Sequence, residues 1–260
     1  MVGKESLELQ NVVVDFRTVS GGTFRAINNV SLKIGKGELV SVIGRSGSGK
    51  TTLLNVVAGL IHPTNGSIEL EGKVIEKPGR DRGVVFQADA IFLWKRVMEN
   101  MDFALRLGGV PKNKRKEYAE EYLKLVKLEG FKNYYPKELS GGMRKRLAIA
   151  MVLANKPDLM LMDEPFGPLD YATKIELQME LESIRCKTPI TTLFVTHDVE
   201  EATYVSDRII LMDKGEIIDE VIVPILRPRT LDTRSSKEFL EISGYLLSRL
   251  ISLSDIGCEK

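Results

Sequence analysis

A glycine-rich stretch over residues 44–51 has the residue types and spacing of a loop that binds phosphate. It follows the pattern of a glycine, four further residues, a second glycine, a lysine and a threonine, and it reads Gly44-Arg45-Ser46-Gly47-Ser48-Gly49-Lys50-Thr51. Glycines let the backbone turn so that its N–H groups point at one spot, and a helix that begins there favours negative charge. Lys50 is able to reach the β- and γ-phosphates, and the Thr51 hydroxyl is a ligand for Mg²⁺.

Acidic residues and a histidine follow two apolar runs further along the chain. The run over residues 159–162 ends in Asp163 and Glu164, and the run over residues 191–196 is followed by His197. Doubly wound sheets bind ligands at the carboxyl ends of their buried strands. A carboxylate there needs a cation, so the sequence predicts Mg²⁺ on Asp163 and a site role for His197.

The elements that must position these residues are indicated by the apolar periodicity. A strand over residues 39–43 leads into the glycine-rich loop, and a helix over residues 52–60 follows it. Other strand-like segments are separated by turns. The predicted strands of an antiparallel layer are 6–14, 24–34, 67–70 and 73–75, and further strands are 82–87, 159–162, 191–196 and 208–212. The predicted helices are 97–107, 112–128, 144–153 and 236–251.

The helices after residue 96 indicate an insert of about 60 residues between strands of the core. Tyr118, Tyr122, Leu125 and Leu128 are predicted to share the apolar face of the second helix, and Ser140 is a candidate cap of the third. The basic run over residues 112–116 is interpreted as a solvated helix start.

Composition limits the classes of function. The chain has 260 residues and a formal net charge of +1, which gives no electrostatic argument for nucleic-acid binding. Apolar runs fall short of the roughly 20 residues that a transmembrane helix needs, and the first residues lack the apolar core of a signal peptide. Cys186 and Cys258 are interpreted as ordinary free thiols in a reducing cytosol.

Several motifs stand in one order along the chain, and together they carry a resemblance to a known family. They are residues 44–51, Gln87, Leu139-Ser140-Gly141-Gly142-Met143, residues 159–164, Pro165-Phe166-Gly167-Pro168-Leu169-Asp170 and His197. This order resembles the ATP-binding subunit of an ABC transporter over about residues 6–245. Residues 83–87, Trp94, residues 163–167 and 195–198, and the tail residues 227–229 are most similar to importers of the nitrate/sulfonate/taurine type. The resemblance to this subgroup of importers does not identify the transported solute.

The resemblance implies an α/β fold, with a P-loop NTPase (RecA-like) core, an antiparallel β layer and a helical subdomain insert. Residues 1–260 would form a single ABC ATPase domain. Its parts would be a catalytic core with the β layer over 1–87 and 152–225, a helical signature subdomain over 88–151, and a C-terminal helical tail over 226–260.

The resemblance also implies roles for individual residues. Glu164, His197, Gln87 and Lys50 would be catalytic, and Mg²⁺ would be bound by Thr51, Gln87 and Asp163. Ser140 and Gly142 would contact the ATP of a second subunit, and Asp170 would lie at the dimer seam. Phe16 would stack on the adenine, although Phe16 and Phe24 are alternatives here and either ring would equally suit a core. The nucleotide would be held by Phe16, Gly44, Arg45, Ser46, Gly47, Ser48, Gly49, Lys50, Thr51, Thr52, Gln87, Ser140, Gly142 and Asp163.

The cofactors implied are ATP and Mg²⁺, and the implied partners are a second copy of the chain, an integral membrane permease and, indirectly, a solute-binding protein, with no nucleic acid. The chain would lie peripherally on the cytoplasmic face of the membrane. The segment over residues 90–101 either docks the permease or packs under the insert's own helices. Met143, Met151 and Leu93 depart from the Gln, Arg and Pro common in relatives, and Leu93 predicts a less rigid loop.

Two other classes of function compete with this interpretation. A soluble ABC-type ATPase that acts on nucleic acid or ribosomes shares these motifs, but usually has two ATPase halves or a long coiled-coil insert. A nucleotide-binding module that does not hydrolyse ATP is disfavoured, because Glu164 and His197 are both present.

Overall fold

The alternating and continuous apolar runs of the sequence become ten strands and seven α-helices in the residues described by the computed structural model, 5–19 and 21–253. The strands are β1 (Glu5–Arg17), β2 (Thr23–Gly35), β3 (Leu39–Gly44), β4 (Asn65–Leu70), β5 (Lys73–Val74), β6 (Arg82–Val85), β7 (Leu159–Asp163), β8 (Thr191–Val195), β9 (Arg208–Asp213) and β10 (Glu216–Ile222). The helices are α1 (Lys50–Val57), α2 (Val97–Leu107), α3 (Lys112–Leu125), α4 (Gly141–Leu153), α5 (Tyr171–Lys187), α6 (Val199–Val205) and α7 (Lys237–Ser252).

The chain divides into two compact units, the first made of Met1–Pro78 and Thr191–Lys260 and the second of Gly79–Ile190. The predicted division, with a helical subdomain over residues 88–151, stays a prediction. Cys186 is exposed, whereas Cys258 lies outside the described residues, as do residues 254–260 of the predicted tail. Within the described ranges, the helices are too short or too polar to cross a bilayer.

The first unit contains the predicted antiparallel layer, with strand order β2-β1-β4-β5. Residues Leu7, Leu9, Val12 and Val14 of β1 are buried, as the period of two requires, and a register irregularity between Leu9 and Val12 accommodates Asn11 at φ 48°. The same unit holds β10-β9-β3-β8, in which β3 pairs in parallel with β8 and β9. Every residue of β3 is buried, which is typical of a central parallel strand.

Of two helices in the first unit, α1 differs from its predicted bounds and α7 matches them. α1 begins at Lys50 and ends at Val57, two residues before the predicted start and three before the predicted end. It ends early because Gly59, at φ 76°, is in the left-handed conformation that stops helices. α7 follows the prediction, and the Ser236 Oγ caps it by accepting a hydrogen bond from the Phe239 N–H at 3.2 Å.

The second unit packs α2, α3, α4 and α5 with the parallel pair β6–β7. The predicted apolar face of α3 was wrong by one position. Ala119 and Leu123 are buried, whereas Tyr118 and Tyr122 are half-buried, because a small residue in the centre of the stripe lets the helix approach its neighbours and leaves the phenol rings at the margin. α3 ends at Leu125, three residues before its predicted end, although Leu128 is buried.

Candidate functional site

Steric contacts explain why glycines stand at both ends of the loop after β3. A Cβ at Gly44 would lie 2.2 Å from the Met212 carbonyl oxygen, and a Cβ at Gly49 would lie 2.6 Å from that of Ala26. Gly49 also has a φ of 102°, which L residues with side chains rarely adopt. At Gly47, in contrast, a Cβ would meet no heavy atom within 4 Å. Both ends of the loop therefore pack closely against neighbouring backbone of the first unit, and its middle is open.

The start of α1 fits a phosphate group. Lys50 is 7% exposed, and its Nζ donates to the carbonyl oxygens of Gly44 at 2.8 Å and Arg45 at 2.9 Å, so the ammonium lies over the loop. Gly49 supplies no side-chain cap to α1, and the first turn contains no acidic residue. Helix N-terminal N–H groups without a side-chain cap, next to a lysine, favour an anion.

The remaining loop residues differ in exposure. Ser48 is buried, and its carbonyl accepts a hydrogen bond from the Gly215 N–H at 3.0 Å, which ties the loop to the β9–β10 turn. Thr52 is half-buried, whereas Arg45, Ser46 and Thr51 are exposed. The Arg45 Nη1 donates to the Leu253 carbonyl oxygen at 3.0 Å, at the end of α7. The tail helix therefore touches the phosphate loop directly.

Two aromatic rings are exposed at the far end of β1 and β2. Phe16 and Phe24 are register partners in the antiparallel pair, with 39% and 56% of their surfaces exposed. Directly opposed partners project from the same face of a sheet. Neither ring is a core residue, so both are accessible to stack on a flat ligand, and the stacking role of Phe16 stays a prediction.

A rigid turn presents His197 after β8. The Thr196 Oγ1 donates to Glu201 Oε2 at 2.7 Å and accepts from the Asp198 N–H at 3.0 Å. Asp198 in turn caps α6, because its Oδ1 accepts from the N–H groups of Glu200 at 3.0 Å and Glu201 at 3.2 Å. Thr196 and Glu201 are buried, and His197 is exposed between these fixed neighbours.

In the second unit, the ends of β6 and β7 bring the predicted polar residues together. These strands run in parallel, with Val85 opposite Met162, so Gln87 and Glu164 follow at the same edge. The Gln87 Nε2 lies 3.5 Å from Glu164 Oε2, a long hydrogen bond. Glu164 has a φ of 43°, in the left-handed region that a non-glycine residue enters only at a cost. Strain of this kind is concentrated at functional sites.

The Leu-Ser-Gly-Gly-Met motif forms the start of α4. Ser140 is exposed, and its Oγ accepts a hydrogen bond from the Met143 N–H at 3.2 Å, which confirms the predicted cap. A Cβ at Gly142 would lie 2.6 Å from Thr173 Cγ2, so the glycine allows α4 to meet the first turn of α5. Asp170 caps α5 by accepting from the Thr173 N–H at 3.0 Å, and this hydrogen bond lowers the pKa of the Asp170 carboxyl.

The segment over residues 90–101 is divided between core and surface. Ile91, Val97 and Met101 are buried in the second unit, so the prediction that they line a docking groove was wrong, because the helices of the insert cover them. Leu93 and Trp94 are 54% and 73% exposed. These two residues form the accessible part of the segment.

A buried asparagine fixes this loop, in which Leu93 stands in place of the proline common in relatives. The Asn100 Oδ1 accepts from the Phe92 N–H at 2.8 Å, and the Nδ2, which has two N–H donors, lies 3.0–3.1 Å from the carbonyl oxygens of Phe92, Lys95 and Arg96. The Phe92 ring makes edge contacts with Trp94 and Phe103, with centroids 5.4 and 4.6 Å apart. Asn100 was not among the site residues predicted from the sequence.

Lys145 was also absent from the site residues predicted from the sequence. It is 1% exposed, and its ammonium binds the carbonyl oxygens of Phe86 and Gln87, beside the candidate catalytic residue. One signal was present in the sequence, because Lys145 interrupts the apolar side of α4, three residues after Gly142 and four before Ile149.

The predicted site residues are thus gathered in two groups. The first unit holds the phosphate loop, Phe16 and His197, and the second holds Gln87, Asp163, Glu164 and the signature residues Ser140 and Gly142. Their joint use in one site stays a prediction.

Comparison with known proteins gives one consistent family. Residues 27–167 match the family model described as ABC transporter. An uncharacterized ABC transporter ATP-binding protein of Methanocaldococcus jannaschii is 45% identical, over 95% of this chain and 92% of that protein. Taurine import ATP-binding proteins of Rhizobium johnstonii and Shigella boydii are 39% and 38% identical, over 96% and 94% of this chain and 98% and 96% of theirs.

A solved structure extends the comparison to the fold. An ATP-binding cassette, described as dimeric and in a post-hydrolysis state bound to ADP and Pi, superimposes with a TM-score of 0.74. It is 33% identical, and the match covers 85% of this chain and all of that one. The predicted P-loop NTPase fold is confirmed.

Proposed function

The chain is an ATP-binding subunit of the ABC transporter family, and from this premise we propose that it hydrolyses ATP to drive import of a small solute through a separate membrane permease. The solute class we propose is sulfonate, taurine or nitrate. Relatives named as taurine import proteins, matched over more than nine-tenths of the chain, support this class. ATP and Mg²⁺ are the cofactors of the reaction.

The observation that carries the proposal is the pairing of Gln87 with the strained Glu164. A carboxylate held at the end of a buried strand, 3.5 Å from an amide, suits the orientation of a water molecule beside a phosphate. Phosphoryl transfer needs positioning and charge stabilisation rather than covalent participation by the protein. The second unit supplies such a positioned carboxylate.

The loop and its lysine are proposed to bind the phosphates of ATP. Lys50 would exchange its hydrogen bonds with the Gly44 and Arg45 carbonyl oxygens for phosphate oxygens, and the open middle of the loop at Gly47 leaves room for them. Thr51 and Asp163 provide oxygen donors, which Mg²⁺ prefers, with Gln87 as the third proposed ligand. When bound, Mg²⁺ neutralises charge that develops on the phosphates.

The remaining residues are proposed to act on the water and the γ-phosphate. Glu164 would accept a hydrogen bond from the attacking water and orient it. His197 would donate a hydrogen bond to the γ-phosphate, and the buried Thr196–Glu201 pair supports its fixed position. Phe16 would stack on the adenine.

Stimulation of ATP hydrolysis separates this function from the competing one. We expect proteoliposomes that contain the cognate permease to stimulate hydrolysis, and ribosomes, RNA and DNA to leave it unchanged. Stimulation by nucleic acid alone would instead favour a soluble ATPase. The proposed location, the cytoplasmic face of the membrane, requires that the chain sediment with membranes only when the permease is present.

A dimer with two ATP molecules in its interface is proposed as the working state. Ser140 is exposed at the start of α4 and is therefore available to a second copy, whereas Gly142 is buried against the first turn of α5. The dimeric state of a cassette that is 33% identical supports this assembly. Ser140 and Gly142 would contact the γ-phosphate of the partner's ATP, and Asp170 would lie at the seam.

Mixed dimers test the trans arrangement. When one chain carries Lys50→Ala and its partner carries Ser140→Arg, both changes fall on the same composite site, so one site should stay active. When both changes are in one chain and the partner is wild type, both sites should be inactive. ATPase activity of the two tagged, purified dimers gives the measurement. Equal activity of the two would contradict the arrangement, and thermal unfolding controls for loss of the Ser140 cap, which is worth about 1 kcal/mol.

The permease is proposed to dock at a groove in the second unit. The groove has a volume of about 450 Å³ and includes Phe86, Ala90, Phe103, Leu107 and Met151 in its lining. Leu107 is 52% exposed, and Phe86 is 39% exposed. A short amphipathic helix fits such a groove through its apolar face. Met151, where relatives commonly have Arg, makes the groove of this chain apolar at that point.

Charge in the groove should uncouple transport from hydrolysis. We expect Leu107→Glu to weaken permease binding by roughly 30-fold, the effect of removing an interface residue worth about 2 kcal/mol, while basal ATPase activity persists. Trp94→Glu tests the accessible part of segment 90–101 in the same way. Leu240→Glu, at a leucine of α7 with 58% exposure, is the matched control. Normal transport by the Leu107→Glu variant would exclude the groove.

A further inference from the structure

A buried lysine joins the signature helix to the segment that follows β6. The Lys145 Nζ lies 3.1 Å from the Phe86 carbonyl oxygen, 3.0 Å from that of Gln87 and 3.1 Å from Asp89 Oδ1. A lysine ammonium has three N–H donors, so these three oxygens account for its full hydrogen-bonding capacity. The Lys145 ammonium therefore makes all of its hydrogen bonds to one short segment, residues 86–89.

The same segment is held a second time by the preceding residue. The Arg144 Nε lies 3.0 Å from Asp89 Oδ2, and the Arg144 Nη1 donates to the Leu139 carbonyl oxygen at 2.9 Å. Asp89 thus bridges two consecutive cations of α4. A buried ion pair is weak evidence for stability, since apolar residues of similar volume often stabilise a fold as well. Its value here is geometrical, because it fixes residues 86–89 to α4.

The fixed segment contains a candidate catalytic residue. The main chain of Gln87 is bound by Lys145, and its side chain lies 3.5 Å from Glu164. Ser140 and Gly142 stand at the start of the same helix, within two turns of Lys145. A displacement of α4 would therefore move the Gln87 main chain with it, because the link between them is a saturated, buried contact.

We propose that Lys145 is a positioning residue that carries a displacement of α4 to Gln87, and through Gln87 to the water-orienting carboxylate of Glu164. The inference rests on the proposed function, in which Ser140 and Gly142 contact the partner's ATP. When the signature motif closes on that nucleotide, it would bring Gln87 and Glu164 of the same chain into position for hydrolysis. In each subunit, the positions of Gln87 and Glu164 would therefore depend on whether the partner has bound ATP.

Steady-state kinetics of the full chain with Mg²⁺ and ATP test the role. Lys145→Met, which lacks donors, is expected to lower kcat by roughly 10²-fold, the cost of a small misplacement at a catalytic centre, while KM for ATP stays unchanged. Lys145→Gln retains two N–H donors and should recover part of kcat. Lys124→Met, at an exposed lysine of α3, is the matched control and should behave as wild type.

A double-mutant comparison separates positioning from general structure. In a Gln87→Ala background, Lys145→Gln should produce no further loss, since its effect passes through Gln87. Additive losses, or wild-type kcat in both Lys145 variants, would overturn the proposal. If Lys145→Met fails to fold, as measured by thermal unfolding, the Lys145→Gln comparison decides alone.

Hydrogen exchange separates this inference from the proposed function. Amides of residues 87–89 should exchange roughly 10-fold faster in Lys145→Gln, the effect of losing one net hydrogen bond. Unchanged exchange would overturn the positioning role even if the wild-type chain hydrolyses ATP. Absence of Mg²⁺-dependent ATPase activity in the wild-type chain, in contrast, would refute the proposed function. The hydrogen-exchange result would then be the test of whether Lys145 positions residues 87–89.

Discussion

Replacing Glu164 by glutamine is expected to lower the rate of ATP hydrolysis by about 10²–10³-fold while ATP binding persists. Glutamine has nearly the same shape, so the strained backbone at φ 43° and the contact with Gln87 need not change. The neutral amide, however, lacks the negative charge with which the carboxylate would accept a hydrogen bond from the attacking water and orient it. The measurements are kcat with Mg²⁺ and ATP, and the Kd of a fluorescent ATP analogue.

The matched control is Glu117→Gln, at an exposed glutamate of α3 in the same unit. It changes the net charge by the same amount, and its kcat should equal that of the wild type. Wild-type turnover in the Glu164→Gln variant would remove Glu164 from the chemistry. A rise in Kd as large as the fall in kcat would instead make it a binding residue.

Replacing Lys50 by alanine should weaken ATP binding itself and reduce turnover by about 10²–10³-fold, since one preorganised charge is lost at the phosphates. The change also removes the hydrogen bonds of the ammonium to the Gly44 and Arg45 carbonyl oxygens, so the loop loses its internal cation. Isothermal titration with ATP measures the binding loss, and a coupled assay measures turnover.

Lys36→Ala provides the comparison for Lys50→Ala. Its side chain is 73% exposed, in the same unit, and lies 4.0 Å from Glu71. An exposed pair at that distance is worth little, so neither affinity nor thermal stability should change. ATP affinity of the Lys50→Ala variant equal to that of the wild type would contradict the proposed phosphate role.

Local features were the ones that the sequence predicted well. The phosphate loop and the Ser140 cap depend on residues a few positions apart, so their geometry follows from steric rules and capping chemistry. The strand ends that carry Gln87 and Glu164 were also predictable, because continuous apolar runs define buried parallel strands. The family resemblance then gave these positions their expected roles.

Features that depend on contacts across the fold were missed or misplaced. The buried face of α3 passes through Ala119 rather than the tyrosines, since neighbouring helices select the residue that lets them approach. Val97 and Met101 looked like surface for a partner, yet they pack in the core of their own unit. Lys145 is far in sequence from Gln87, so its role depended on a packing arrangement that spacing does not encode.

The division of the first unit by the second has a consequence for how the chain folds during synthesis. At about 5–20 residues per second, the roughly 150 residues between Gly44 and Thr191 take roughly 7–30 s to emerge from the ribosome. During that interval β3, an apolar strand buried at every position, has neither β8 nor β9 to pair with. Gly79–Ile190, in contrast, is continuous and emerges whole. The nascent chain therefore carries an unpaired aggregation-prone strand while the later unit folds, and ribosome-associated chaperones should crosslink to residues 39–44 until synthesis passes β9.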